Sequence, residues 1–275
     1  VFVKRVCNHY NIWMKHANRY NLLGQIPVFG KIFRDFDKSA GESGIHKAVG
    51  DVIKKSGTKL IVHGLVKDTI EILKTKPVIL VGNHPYDFEL ILLIAALPKR
   101  DDIFTIVASD LMGAGPNTTS YFIPMFIHKY FDKGSHEFSV KIAKLLRLGP
   151  SFSPSIEHRK NVENINYAAL KVNNGGLVII SPEGILKKGS PWLSGVGYLL
   201  RGVYKKSNAY YARAYIQGTS PFDVFRLIPI VNRFFPPINV YFDRPKEVPF
   251  VINAKEDPKE ITKNLQEEYN IWVGI

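Results

Sequence analysis

Two short turns carry the residue types that could do chemistry. The first is Gly82-Asn83-His84-Pro85-Tyr86-Asp87-Phe88-Glu89, between the aliphatic run Val78-Ile79-Leu80-Val81 and the apolar run Leu90-Ile91-Leu92-Leu93-Ile94. Glu89 stands five residues after His84, placed to hydrogen-bond the imidazole and hold one tautomer. A histidine oriented by a carboxylate can take a proton from a hydroxyl. Asp87 is the rival acid, nearer in sequence, and a good N-cap for the helix that follows. The second turn is Ser181-Pro182-Glu183-Gly184, which follows Leu177-Val178-Ile179-Ile180 and runs into Ile185-Leu186-Lys187-Lys188-Gly189-Ser190. An acid on a Pro/Gly turn followed by two lysines suits a phosphate and a polyol. The lysines supply charge, and loop amides can form a nest. Each turn also has a plainer reading as an ordinary connection, with Glu89 a first-turn acid favoured by the helix dipole.

Elements must hold these turns in place. The runs at 78–81 and 177–180 read as buried strands, because apolar residues fill every position. Open α/β sheets place their binding crevices at such strand ends. Further strands are expected at 59–64, 103–108, 226–231 and 238–242, with Pro229 suggesting an edge or a bulge. Helices are expected before Pro98, at 161–173 with a stop at Asn174-Gly175-Gly176, at 193–205 with Gly195 and Gly197 permitting close packing, and at 257–269. A short helix or loop is expected at 66–75. His158, Arg159 and Lys160 stand just ahead of the 161–173 helix. Between 109 and 154 the pattern shows a Gly/Pro loop, then an aromatic run at 121–127 that either lines an apolar tunnel or is core. A basic helical stretch follows at 138–148.

The chain has 275 residues, 45% of them apolar, enough for one large domain or a domain with a small appendage. A single cysteine, Cys7, excludes an intrachain disulfide and any multi-cysteine metal site, and no metal is expected. The net charge of +13 favours anionic partners. Nucleic acid is not expected, because there is no zinc pattern, RNA-recognition signature or compact basic stripe. Residues 1–57 read as a basic helical segment and 58–275 as an α/β domain. The segment places Val3, Val6, Tyr10, Trp13 and Met14 among Lys4, Arg5 and Lys15. Its apolar side either packs on the main domain or lies on an anionic bilayer. No window approaches the roughly 18 apolar residues of a membrane span, and no signal peptide is recognisable. The expected location is cytoplasmic and peripheral to a membrane.

Together the motifs resemble the glycerolipid acyltransferase family, which contains glycerol-3-phosphate and lysophosphatidate acyltransferases. That family carries Asn-His, four residues, then Asp after a hydrophobic strand; here Asn83-His84 is followed at the same spacing by Glu89. Its Phe-Pro-Glu-Gly turn corresponds to Ser181-Pro182-Glu183-Gly184, and its late Val-Pro-Val strand is similar to Ile228-Pro229-Ile230. The likeness runs from residue 59 to 247. It implies an α/β fold with a mixed, largely parallel sheet flanked by helices, following an N-terminal helical segment. It implies His84 as general base with Glu89, or Asp87, as the orienting acid. It also implies Asn83, Arg159, Glu183, Gly184, Lys187 and Lys188 as substrate-binding residues, with Lys129 the alternative to Arg159. The implied partners are an acyl donor, an anionic lipid acceptor and a membrane surface. No cofactor is implied beyond acyl-CoA or acyl carrier protein as co-substrate. Two departures matter. Glutamate replaces the family's aspartate, and Ile185-Leu186-Lys187 replaces its Thr-Arg, so a lysine point charge stands in for a bidentate fork. These departures leave open a different lipid or glycan acceptor, or a non-catalytic lipid-binding homologue using the same crevice.

Overall fold

The computed structural model describes residues 27–86, 88–109, 112, 115–126, 153–183, 191–204, 208–253 and 255–274. The expected N-terminal helix pattern before residue 27, Cys7, Asp87, Lys129, the 138–148 stretch and the turn residues Gly184, Lys187 and Lys188 lie outside them. The described chain opens with helices α1 (Pro27–Ser43) and α2 (Ile45–Ser56), then β1 (Leu60–His63), α3 (Lys67–Thr75) and β2 (Val78–Gly82). It continues through α4 (Glu89–Ala96), β3 (Ile103–Ala108), α5 (Pro116–Thr119), β4 (Phe122–Met125), α6 (Pro154–Asn173) and β5 (Leu177–Ile180). Last come α7 (Gly195–Tyr204), β6 (Tyr210–Gln217), α8 (Pro229–Asn232), β7 (Ile238–Phe242), β8 (Lys246–Glu247) and α9 (Pro258–Val273).

The eight strands form one mixed α/β sheet in the order β1-β7-β6-β2-β5-β3-β4, with β8 pairing β6. β6, β2, β5, β3 and β4 are mutually parallel, and β7 lies antiparallel to β6. All five parallel strands therefore end at one edge of the sheet, where β7 begins. β2 and β5 are buried along their whole length, as their unbroken aliphatic runs require. β2 and β3 do not pair directly, because β5 inserts between them.

Alternation divides the core in two. Val78 and Leu80 join Leu177, Ile179, Ala212 and Ala214 beneath α1, α2 and α4. Ile79 and Val81 join Val178, Ile180 and Tyr211 beneath α6, α7 and α9. Ala40, Ile45, Ala48 and Val49 belong to the first of these cores, so from residue 27 onward the apolar side of the N-terminal segment packs on the sheet. Gly197 lets α7 meet the start of α9. A Cβ there would sit 2.0 Å from the Pro258 carbonyl oxygen.

Three expectations are corrected. The 226–231 run is not a strand: Asp223–Leu227 is a 3-10 turn and Pro229 opens α8, so the likeness to a Val-Pro-Val strand fails. Proline suits a first helical turn, where its missing N–H is no loss. For the same reason α6 starts at Pro154, and His158, Arg159 and Lys160 lie within it, not ahead of it. The expected reading also passed over β6, the strand beside β2.

Candidate active site

β2 ends at Gly82, and α4 begins at Glu89 with Phe88 in the N-cap position. His84 lies between them, 8% exposed, with Glu89 fully buried below it. His84 Nδ1 stands 3.0 Å from Glu89 Oε2, and the Tyr86 main-chain N–H donates to the same oxygen at 3.2 Å. With Glu89 ionised and the ring neutral, Nδ1–H donates to the carboxylate. Nε2 is then left as the basic nitrogen. The α4 N-terminus favours the anion on its first turn. Glu89 Oε1 is buried without a partner among the described residues.

Asn83 is committed to the sheet. Its Nδ2 donates to the Ile216 carbonyl at 2.9 Å, and its Oδ1 accepts from the Ile216 N–H at 2.7 Å. The side-chain amide thus continues the β2–β6 ladder where the β2 main chain turns away. This fixes the turn that carries His84 and engages both ends of the amide.

β5 lies directly beside β2, with Val81 opposite Ile180. The Ser181–Glu183 turn therefore emerges next to the His84 turn. Glu183 is buried. The Leu193 N–H donates to the Pro182 carbonyl at 2.9 Å, which closes the base of the connection that contains Lys187 and Lys188. Tyr269 of α9 braces the end of β6, beside the His84 turn. Its hydroxyl donates to the Ala214 carbonyl at 2.8 Å. Burial, and then the neighbouring Glu183 carboxylate, push this phenol well above its ordinary pKa, while the Asn83 main chain beside that hydroxyl acts to lower it. Tyr269 thus stays neutral and able to donate.

Arg159 is exposed on α6. That helix is held against the end of β4 by Asn161, whose amide bonds both the N–H and the carbonyl of Phe126 at 2.8 Å. β4 lies three strands from β2, about 14 Å at the usual strand spacing. Arg159 therefore belongs to the rim of the strand-end edge, not to the His84–Glu89 pair. Lys160 has its ammonium 5.9 Å from the Phe126 ring centroid, and desolvation lowers its pKa.

Expectation from sequence missed Tyr269 and Arg213. Arg213 lies on β6, with Nε donating to Asp243 at 2.9 Å and Nη1 to the Glu268 carbonyl at 3.0 Å. Its guanidinium lies over Trp272 of α9, so it fastens the helix that carries Tyr269. A buried aromatic at helical spacing after Ile261 and Leu265 was the available signal for Tyr269. Nothing local marks Arg213.

Among the described residues no cluster of His, Cys, Asp and Glu could hold a metal ion, and no helix is long and apolar enough to cross a membrane. No protein-family model matches the chain, and no curated protein matches it by sequence. Among solved structures, the chain is similar to the 1-acyl-sn-glycerophosphate acyltransferase PlsC from Thermotoga maritima. The two share 16% identity over 94% of this chain and 95% of that one, with a TM-score of 0.45.

Proposed function

We propose that the protein is an O-acyltransferase that moves a fatty acyl group from a thioester, acyl-CoA or acyl carrier protein, to a hydroxyl of a glycerol-phosphate or lysophospholipid type acceptor. The observation that carries this reading is the His84–Glu89 contact of 3.0 Å, set where parallel strands end beside the Glu183 turn. His84 Nε2 takes the acceptor's hydroxyl proton as its oxygen bonds to the thioester carbonyl carbon. The tetrahedral oxyanion collapses, the C–S bond breaks, and the imidazolium returns the proton to the leaving thiolate. Glu89 steadies the imidazolium. Main-chain amides of the turn, or a lysine, meet the oxyanion. Asn83 acts through position, holding the His84 turn to β6. Arg159 at the rim, with Lys187 and Lys188, answers the acceptor's negative charge, while Glu183 and Gly184 shape the acceptor site. Asp87 is the alternative orienting acid.

The test is thiol release from acyl-CoA, with and without lysophosphatidate, by purified parent and His84→Ala proteins. The expected result is acceptor-dependent release that falls by at least about a thousandfold in the variant while the fold survives. Equal turnover in the variant would end the catalytic reading. Silence of the parent across donors and acceptors would leave the lipid-binding alternative.

A further inference from the structure

Residues 218–237, which join β6 to β7, are built inside out. Their one acid, Asp223, and Arg226 are each 1% exposed. Arg226 Nε donates to Asp223 Oδ1 at 2.8 Å, and Nη1 donates to the Pro236 carbonyl at 2.9 Å. Nη2 reaches the Gly218 carbonyl at 3.4 Å, and the guanidinium lies over Phe235. Ser220 closes on Asp223 through both its N–H and its hydroxyl. One arginine thus ties the first turn and both stems of the loop from within. Leu227 anchors the loop in the first core, with Val224 and Ile228 packed against it, but four other large apolar side chains go outside. Phe234 is 85% exposed, Ile230 73% and Phe222 63%, and Phe225 is also exposed. A loop that hides its ion pair and shows Phe222, Phe225 and Phe234 is doubly costly in water.

The loop stands at the sheet edge where His84 emerges. It leaves the end of β6, next to the Ile216 that Asn83 clamps. Its Asn232 donates to the Ser56 carbonyl, and Thr58 donates to Asn232, so the end of α2 lies against it. Lys54, Lys55, Lys59 and Arg233 are exposed here. The acid preceding them on α2, Asp51, is paired with Lys47.

We infer that this loop docks the protein on an anionic phospholipid bilayer. Phe222, Phe225, Ile230 and Phe234 enter the headgroup boundary, and the flanking cations meet lipid phosphates. A second copy of the chain is disfavoured as the occupant, because it would bring the same positive charge to the contact. Docking on this edge turns His84 toward the lipid, so a lipid-borne hydroxyl reaches it from the membrane side. That last step rests on the acyl-transfer reading, whereas the docking does not.

The test uses the full chain and vesicles of phosphatidylglycerol mixed with phosphatidylcholine, against phosphatidylcholine alone. Co-sedimentation is expected with the anionic vesicles and weakens with added salt. In the Phe234→Ser and Ile230→Ser double variant, affinity falls by tenfold or more, about what losing two inserted apolar side chains entails. A Phe234→Trp variant is expected to show a blue-shifted emission and added quenching by bromine-labelled acyl chains, relative to the parent. His84→Ala binds vesicles as the parent does, which separates docking from catalysis. Unchanged affinity in the double variant, or no added quenching at position 234, overturns the inference. So does self-association of the parent that the double variant abolishes while neither binds vesicles.

Discussion

Replacing Glu89 by glutamine removes charge from beneath His84 while keeping nearly the same shape. The carboxylate sits 3.0 Å from Nδ1 and is fully buried. Its charge matters most when the ring becomes an imidazolium. At about 4 Å between charge centres and an effective dielectric near 20, that attraction is about 4 kcal/mol. A glutamine oxygen retains part of it as a neutral hydrogen bond worth about 1 kcal/mol. The remaining 3 kcal/mol or so corresponds to a loss of about 150-fold in kcat/KM. Stability is expected to move the other way or not at all. Glu89 Oε1 is buried without a partner among the described residues, and neutralising the group relieves its desolvation. Glu89→Asp withdraws the carboxylate by about 1.5 Å, one bond length, beyond hydrogen-bond reach of Nδ1. It is expected to lose about 10- to 100-fold. The assay is steady-state thioester turnover with a saturating acceptor, paired with urea unfolding of each variant. If Glu89→Gln keeps kcat/KM within about threefold of the parent, the carboxylate does not steer the base. A parallel loss of activity and stability would make Glu89 a structural residue only.

The other predictions concern the supports. Asn83→Ala strips both side-chain bonds from Ile216 and is expected to cost about 2–3 kcal/mol in urea unfolding, lowering kcat more than it raises KM. A raised KM at unchanged stability would mean that Asn83 contacts substrate instead. Tyr269→Phe keeps the ring but removes the hydroxyl's bond to the Ala214 carbonyl, for an expected loss of about 1 kcal/mol. Burial raises the pKa of Tyr211 and Tyr269 in the folded protein, so the unfolded chain alone ionises them just above pH 10. Stability then falls as pH rises past that point, by about 1.4 kcal/mol per pH unit for each phenol. Tyr269→Phe should remove one of these contributions from alkaline unfolding curves. Arg226→Met leaves Asp223 buried and uncompensated and is expected to cost about 3–5 kcal/mol, most of it recovered by adding Asp223→Asn.

Much of the sheet is legible locally. Val78–Gly82 and Leu177–Ile180 are unbroken aliphatic runs closed by Gly or Pro, which suits strands covered on both faces. β6 is not legible in this way. It mixes Ala212 and Ala214 with Arg213, and an arginine in a central strand reads as polar. It is tolerated only because Asp243 and the Glu268 carbonyl, both distant in sequence, receive it. The apolar run at 226–231 misled for the converse reason. Arg226 turns inward to Asp223, Pro236 and Gly218, and the chain coils around it.

The sequence by itself determined the strand, the turn and the short reach from His84 to Glu89, because these depend on residues within one or two turns of each other. Only the tertiary structure decided that the Ser181–Glu183 turn emerges beside them, that Asn83 locks onto Ile216, and that Tyr269 bonds the end of β6. Those pairings join segments 55 residues apart or more. They are chosen by which strands can bury their two faces together, a collective choice that no single stretch of chain encodes.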